Sequence, residues 1–348
     1  MNTNDDRQLK ISLIDVAKHA GVSRSTVSRV VNNDEYVSDD TRRVVQAAIK
    51  ELGYVPNVAA RSLRTQRTQV IAVVMPDPLS HIFSTDNPHY YSALIQAISQ
   101  VSQAQDYAML LWVGPLDGER EQYYENILKK RIMDGLIIAA SVEDEFFFVD
   151  ELLSLQMPFV VIGRPVTHAD QVSYVSIDNV QAAEQGVDFL VSQGYRRIAK
   201  IAGNWNNADS RERVEGYKHA LQQHSLPVNP DLIKIDTFSR QAGYRQMHAL
   251  LAEGRDIDAV FAGSDIIALG ALDALNEVGL KVPHDIALLG FDDIPDAAKI
   301  EPPLTTIRQS ITRKAERATQ LLLNMIEGRV AAPKRVLLPT ELVQRAST

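Results

Sequence analysis

The sequence contains no cysteine. This absence excludes disulfide bonds, thiolate metal sites and cysteine nucleophiles. No apolar run reaches the roughly 18 residues that a membrane-spanning helix needs, and residues 1–9 are polar and acidic, without the apolar stretch of a signal peptide. We therefore expect a cytoplasmic protein that has no membrane partner.

The sequence motifs of several enzyme classes are also absent. It has no phosphate-binding loop of Walker type, no HExxH metal motif and no GxSxG nucleophile elbow. Its eight histidines are scattered and show no metal-ligand spacing. An acidic pair such as Asp292-Asp293 suits acid/base chemistry in principle, but no motif around it supports an enzyme. We expect no catalytic residues, no metal and no cofactor.

Charge is distributed unevenly along the 348 residues, whose net charge is −8. Through Arg67 there are eleven Lys and Arg against eight Asp and Glu, whereas the remainder holds twenty-five against thirty-six. A chain of this length usually contains more than one domain. A mildly basic head on an acidic body fits contact with nucleic-acid phosphates by the head alone.

The character of the sequence changes near residue 68. Beyond it, apolar strand-like runs alternate with amphipathic stretches of helical spacing, a pattern typical of parallel sheets covered on both faces. About 280 residues are long for one such sheet, so two lobes with a cleft are expected. The fold class is therefore an all-α head followed by an α/β core of two doubly wound parallel-sheet lobes. The runs are 70–75, 108–113, 135–140, 159–162, 198–202, 259–262 and 286–290.

Segment 10–55 contains three short helical patterns. The first runs from Leu13 to Ala20, and Gly21 breaks it as the turn between two crossed helices requires. Ser12 is suited to cap this first helix, and Ser23 and Ser38 are suited to cap two further helices. This spacing predicts a helix-turn-helix.

The second helix of this predicted motif has two different faces. Val27 and Val30 can pack inward, whereas the opposite face is cationic or short-chained. Arginine can bind guanine in a bidentate way in the major groove, and serine can reach a base or a phosphate. The outward face carries Arg24, Ser25, Ser28 and Arg29.

Several stretches resemble the lactose-repressor (LacI/GalR) family of transcription regulators. In the head these are SLIDVA at 12–17, AGVS at 20–23 and TVSRVVN at 26–32. GYVPN at 53–57 and AARSL at 59–63 resemble the hinge segment of that family. The combination of head and hinge is specific, whereas a helix-turn-helix match alone would not be.

The resemblance implies roles for individual residues of the head. Arg24, Ser25 and Arg29 would read base edges, with a phosphate contact as the alternative for Arg29. Arg24 and Ser25 stand where family members vary, so this operator should differ from those of the relatives. Phosphate contacts would come from Ser23, Thr26, Ser28, Asn32, Tyr36 and Thr41.

Residues 56–67 resemble the family's hinge helix and linker. A helix over 58–63 is too short to be stable alone in water. The resemblance implies that the paired hinges of a dimer fold on the operator, where Ala60 permits close approach and Leu63 wedges between base steps of the minor groove. The alternative for Leu63 is packing against its own head.

From residue 68 to 348 the chain resembles the family's effector-binding and dimerisation core, which is similar to periplasmic sugar-binding proteins. We expect the N-lobe at about 68–173 and 311–332, and the C-lobe at about 174–310 and 333–348. The sequence stretches that carry this resemblance are 194–199, 213–217, 263–265, 268–272, 290–293 and 302–307.

The resemblance also implies an effector site. Planar polar groups bind sugar hydroxyls in pairs, and an aromatic ring covers the apolar face of a sugar. Arg213, Ser264 and Asp292 would bind hydroxyls, and Phe238 would stack. Ser264 departs from the family pattern, in which Asn is frequent.

Three further side chains are candidates from the other lobe. Tyr90 and Tyr91 would add aromatic walls, although one of them should pack inward, and Arg164 follows a strand end. Asp265 is expected to brace its own turn and is not assigned to the site. The alternatives left open for the main candidates are an interlobe ion pair for Arg213, a core position for Phe238 and a helix cap for Asp292.

The sequence therefore predicts a homodimer that binds a palindromic operator and responds to a small-molecule effector, most simply a sugar that releases a repressor of carbohydrate-utilisation genes. A corepressor mode, with a purine or a phosphoprotein in place of the sugar, stays open. A sugar-binding transport protein and an enzyme on the same doubly wound fold are the rivals from other classes. The final residues, 342–348, carry no apolar heptad, so we expect no coiled-coil tetramer.

Overall fold

The computed structural model describes residues 11–31, 34, 36–55, 67–75, 88–113, 128–139, 146–254 and 256–348. The chain divides at residue 68 into two units, a head and a core, each with its own interior. Three residues predicted to contact DNA, Asn32, Ala60 and Leu63, lie outside the described residues.

The head consists of α1 (Leu13–Ala20), α2 (Arg24–Val31) and α3 (Asp39–Leu52). The predicted caps are confirmed, because Ser12 and Ser38 accept hydrogen bonds from the backbone at the starts of α1 and α3. Gly21 has a φ of 64° at the end of α1, a left-handed conformation that favours glycine. The three helices enclose a small core that contains Val16, Val27, Val30, Val45 and Ala48.

The first lobe of the core is built on one parallel sheet. Within the described ranges its strand order is β11-β5-β4-β3-β1-β2, with every pair parallel. Apolar side chains are buried on both faces of this sheet. The strands are β1 (Val70–Met75), β2 (Ala108–Val113), β3 (Gly135–Ile138), β4 (Phe159–Ile162), β5 (Tyr174–Ile177) and β11 (Arg335–Leu338), and the helices are α4 (Pro88–Gln103), α5 (Phe146–Ser154) and α10 (Ile311–Ile326).

The second lobe repeats this arrangement with the order β12-β10-β9-β8-β6-β7 among the residues described. All pairs are parallel except β10 with β12. The predicted fold class, two doubly wound lobes behind an all-α head, is confirmed. The strands are β6 (Ile198–Ala202), β7 (Ile233–Ile235), β8 (Ala259–Ala262), β9 (Ala287–Asp292), β10 (Thr305–Arg308) and β12 (Glu341–Val343), and the helices are α6 (Asn179–Ser192), α7 (Ala208–Gln223), α8 (Arg240–Ala252) and α9 (Asp265–Glu277).

The chain passes between the lobes three times. These crossovers lie between β5 and α6, between β10 and α10, and between β11 and β12. Because β5 and β11 pair within the first sheet, the lobe changes expected at about 174 and 333 come one short strand too early. The apolar pattern of a short strand does not tell which of two sheets the strand joins.

The helix pair α8–α9 in the second lobe packs through glycine. A Cβ atom at Gly270 would overlap the carbonyl oxygen of Arg240, and one at Gly243 would overlap that of Ile267. The two backbones therefore approach as closely as they do because both positions lack a side chain. This contact holds α9, which begins shortly after the end of β8.

Gly270→Ala should lower the free energy of unfolding. Overpacking costs roughly 1–3 kcal/mol, and the upper part of this range applies because the overlapped atoms belong to the backbone. This cost outweighs a helix-propensity gain of about 1 kcal/mol. Urea unfolding followed by circular dichroism measures the difference. Asn276→Ala, at an exposed position of the same helix, is the control and should change stability little. Equal stability of Gly270→Ala and the parent chain would contradict this packing.

Candidate DNA-reading surface and effector site

The candidate DNA-reading surface of the head lies on α2. Val27 and Val30 are buried against the other helices, whereas Arg24, Ser25 and Arg29 are exposed on the opposite side. The three residues predicted to read bases thus share one solvent-facing surface. Two cations beside a short hydroxyl side chain suit the edges of bases in a major groove.

Two of the predicted phosphate contacts lie at the start of α2. The Ser23 hydroxyl accepts a hydrogen bond from the backbone N–H of Thr26 at 3.1 Å. It also lies 2.8 Å from the Thr26 hydroxyl and 2.7 Å from that of Ser25. Because helix N-termini attract anions, these hydroxyls are well placed for phosphate while they also cap the helix.

A second group of predicted phosphate contacts surrounds the start of α3. The Thr41 hydroxyl lies 2.9 Å from that of the cap residue Ser38. Tyr36, in the turn before α3, is 93% exposed, which is unusual for an aromatic side chain. Ser28 is half-buried on α2. Sequence reasoning did not single out Arg42, whose guanidinium donates to the carbonyl of Asp34 at 2.7 Å and braces this turn.

Arg213 is the centre of the candidate effector site in the core. It lies on α7 and is only 4% exposed. Its Nε donates to Oδ1 of Asn179 at 2.9 Å, and its Nη1 donates to the carbonyl of Gly263 at 2.7 Å. Its guanidinium lies 3.7 Å from the centre of the Phe291 ring. Three neighbours therefore fix the orientation of this charge.

Asp292 ends β9 beside Arg213. Its Oδ1 lies 3.9 Å from Nη1 of Arg213 and accepts a hydrogen bond from Nε2 of Gln309. Burial raises the pKa of Asp292, although the Arg213 cation acts in the opposite direction. The alternative of a helix cap is not supported, because the short helical turn 295–298 has no side-chain cap.

The backbone at this strand end is strained. Asp292 has a φ of 119° and Asp293 a φ of 61°, values that side chains other than glycine rarely adopt. Such outliers are concentrated at functional sites and persist only where the surroundings enforce them. Asp293 is held by Arg308 and Arg345, each at 2.6 Å.

The expectation that Asp265 braces its own turn is wrong, because its carboxylate is bonded to β10 and to the segment after β9. Its two carboxylate oxygens accept hydrogen bonds from the hydroxyl of Thr306 at 2.6 Å and the backbone N–H of Ile294 at 2.9 Å. Burial raises its pKa well above the usual range. Ser264 is 2% exposed and caps α9, where its hydroxyl accepts from the N–H of Ile267 at 3.4 Å.

The aromatic candidates take different positions. Phe238 packs partly against the core of the second lobe and lies so close to Gly203, after β6, that a Cβ there would overlap its ring. Tyr91 is buried in the core of the first lobe, so the expectation that one tyrosine packs inward is confirmed. Tyr90 is only partly buried and meets Tyr91 edge-to-face, with ring centres 5.2 Å apart.

Arg164 lies where the two lobes meet. It follows β4 of the first lobe, and its Nη1 lies 2.9 Å from Oε1 of Glu212 on α7 of the second lobe. Burial raises the pKa of Glu212, and the neighbouring negative charge of Asp209 raises it further. His89 of α4 and Asp296 form a second contact between the lobes, at 3.3 Å.

The structure adds polar residues that sequence reasoning missed. Asn179, at the start of α6, is fully buried and bonds to Asp209 and Glu212 as well as to Arg213. Gln309 and Lys314 follow β10 and are buried beside Asp292. The available signal was a polar residue directly after a short apolar run.

Neither a metal site nor a membrane-spanning helix is found among the described residues. No cluster of three or more His, Asp or Glu side chains is arranged to hold a metal ion. Among the described helices, none combines the length and the apolar character that crossing a bilayer requires.

A helix-turn-helix head joined to a two-lobed core with buried polar groups at its strand ends defines a class of DNA-binding regulators that respond to a ligand. Residues 12–57 match the family model of bacterial regulatory proteins of the lacI family, and residues 187–348 match a periplasmic binding protein-like domain. The chain belongs to the LacI family of transcription regulators.

Relatives match along almost the whole chain. The transcriptional regulator CelR of Thermobifida fusca is 35% identical over 98% of this chain and 99% of its own length, and DegA of Bacillus subtilis is 33% identical over 98% of each. The CelR–cellobiose complex matches with a TM-score of 0.76 and 34% identity, over 97% of this chain and 100% of that one. The Lac repressor dimer bound to operator and an anti-inducer matches with a TM-score of 0.83 and 29% identity, over 97% and 98%.

Asn179→Ala should destabilise the core, because it removes the partner of Arg213 Nε and a donor to two acidic side chains. Leaving buried polar groups unsatisfied costs roughly 1–3 kcal/mol. The free energy of unfolding in urea measures the effect. Asn204→Ala, at an exposed position before α7, is the matched control. If the two variants lost the same stability, the Asn179 bonds would not hold Arg213 in place.

Proposed function

We propose that this protein is a repressor of carbohydrate-utilisation genes, which binds a palindromic operator as a homodimer and is released by a sugar. The observation that carries the proposal is the buried group of Arg213 and Asp292 at the strand ends of the second lobe. Guanidinium and carboxylate groups bind pairs of sugar hydroxyls. CelR in complex with cellobiose and the Lac repressor on its operator support the same assignment.

The effector site takes side chains from both lobes. Arg213 and Asp292 bind hydroxyls. The Ser264 hydroxyl accepts a hydrogen bond from the backbone at the start of α9, so its own proton is available for a hydrogen bond to the sugar. Phe238 covers the apolar face of the sugar. The first lobe contributes Tyr90, Tyr91 and Arg164, of which Tyr91 acts from the core behind Tyr90.

The head reads the operator with Arg24, Ser25 and Arg29, while Ser23, Thr26, Ser28, Asn32, Tyr36 and Thr41 hold the phosphates. The hinge residues Ala60 and Leu63 approach the minor groove. A two-fold dimer requires two matching half-sites in the DNA. A regulator that binds the chromosome acts in the cytoplasm, and no catalytic step is needed for this function.

Effector and operator are coupled through the first lobe. The hinge segment 56–67 leads directly into β1 of that lobe, and the effector residues belong largely to the second lobe. A sugar that closes the lobes on each other therefore displaces the element to which the hinge is attached. By linkage, effector and operator change each other's affinity by the same factor.

Planar rings also suit a purine, which is the second candidate effector. Tyr90 and Phe238 are the partly buried aromatic side chains of the site, and a base binds between such faces. In that case the ligand could act as a corepressor. The Arg213–Asp292 pair favours the sugar, because a purine offers fewer adjacent hydroxyl groups.

Arg29→Ala should weaken specific binding by about 1–3 kcal/mol, the contribution of one base contact, and affect non-specific binding less. The measurement is fluorescence anisotropy at fixed salt, with an operator selected from random DNA and a random duplex of equal length. Arg43→Ala removes the same charge from α3, where the side chain is 76% exposed, and is the control. Equal losses on both duplexes would move Arg29 to the phosphate contacts.

A true effector should raise the thermal midpoint of the full chain, because ligand at a hundredfold excess over Kd adds about 2.7 kcal/mol. Mono- and disaccharides and purines are titrated in parallel, and operator release is followed in the same mixtures. Arg29→Ala should respond to the effector like the parent chain, since this change lies in the head. A midpoint shift by a purine with none by any sugar would overturn the sugar assignment.

A further inference from the structure

The first turn of α10 contains a lysine that is fully buried. Lys314 is 0% exposed, and its Nζ donates to Oε1 of Gln309 at 2.6 Å. The amide nitrogen of the same Gln309 donates to Oδ1 of Asp292. A chain of hydrogen bonds therefore runs from the first lobe, through the second crossover, to the effector site.

The hydrogen-bonding capacity of Lys314 is only partly used. An ammonium group has three donors, but within the described residues Nζ makes this single hydrogen bond, and no described carboxylate lies within 4.0 Å of it. The Tyr90 ring centre is 5.9 Å away, near the limit of a cation–π contact. Burial lowers the pKa of Lys314, whereas the negative charge of Asp209 acts to raise it. A buried cation without a directly bonded anion is costly unless a partner arrives.

The neighbouring Arg213 also has donors to spare. Its Nε and Nη1 are used by Asn179 and Gly263, whereas Nη2 donates to no described residue. Lys314 and Arg213 interact electrostatically with each other and with Asp292. The site therefore offers unused cationic donors from both lobes, while the acceptor Oδ2 of Asp292 serves hydroxyl groups.

We infer that Lys314 determines effector specificity and binds the carboxylate of a sugar acid, whose hydroxyls are held by Asp292. A carboxylate supplies the directly bonded anion that the buried ammonium lacks and forms charge-assisted hydrogen bonds with it. The hydroxyl groups of the same ligand donate to Oδ2 of Asp292. This inference rests on the proposed sugar-responsive function and names the class of sugar.

The test uses the full chain and matched ligand pairs: glucose and glucuronate, galactose and galacturonate, cellobiose and cellobionate, with glucose 6-phosphate as the anion of another type. Isothermal titration calorimetry gives each Kd. We expect one acid to bind at least about tenfold more tightly than its neutral partner, since a hydrogen bond to a charged group is equivalent to roughly 10- to 100-fold in affinity. Lys314→Met should lose this preference and change neutral-sugar binding less than about threefold.

Two controls separate the ammonium from general effects. Lys281→Met removes an exposed lysine of the same lobe as Asp292 and should leave the preference unchanged, whereas Lys314→Arg should retain part of it. Without ligand, Lys314→Met should keep or raise the thermal midpoint, because replacing a buried, unpaired charge by an apolar side chain is often stabilising. A marked fall in this midpoint would show that Lys314 is already satisfied and would overturn the inference.

The binding outcomes also distinguish this inference from the broader function. A neutral sugar that binds more tightly than its acid and releases the operator would overturn the role of Lys314 and leave the sugar-responsive repressor intact. Tighter binding of glucose 6-phosphate than of every sugar acid would overturn the assignment of a carboxylate as the group that Lys314 binds. A response to purines alone would overturn both proposals.

Discussion

The burial of the Arg213 guanidinium is the constraint on which the second lobe depends. An arginine remains charged at any physiological pH, so its removal from water requires hydrogen-bond and charge partners. Asn179, Gly263, Phe291 and Asp292 provide them. These partners come from the start of α6, the segment after β8 and the end of β9. One side chain therefore holds together three elements at the edge where a ligand binds in sheets of this type.

The partners of Arg213 also connect the site to the crossovers between the lobes. Asn179 follows the first crossover directly and extends the network to Asp209 and Glu212, the second of which pairs with Arg164 of the first lobe. A ligand that takes over any of these bonds changes the forces on a segment that joins the two lobes. The polar contacts proposed to recognise an effector therefore also connect the two lobes.

The sequence predicted the parts of the molecule that local pattern determines. The long apolar strands such as Val70–Met75 and the helix caps at Ser12 and Ser38 are local features, and they appear as predicted. Short strands such as Ile233–Ile235 and Glu341–Val343 were missed, because three residues leave no readable period.

The site was only partly predictable for a related reason. Arg213 and Asp292 were assigned to the candidate site from the resemblance to a family, and the structure places their side chains 3.9 Å apart. Asn179 and Gln309 were not, since their bonds join residues 34 and 17 positions apart and no local pattern records such a pairing. The capping role of Ser264 and the burial of Tyr91 depend on packing that a residue type does not reveal.

Side-chain contacts lead from each of the three crossovers to the strained strand end at Asp292 and Asp293. The first reaches it through Asn179 and Arg213, and the second through Gln309, whose amide bonds to Asp292. The third leads through β12 to Arg345, whose guanidinium lies 2.6 Å from Asp293. Two left-handed residues in succession are unfavourable for any side chain but glycine, so these contacts must hold the backbone there. Each of the three crossovers therefore leads through side-chain contacts to this pair, and a ligand bound to Asp292, as proposed, would act where these contacts meet.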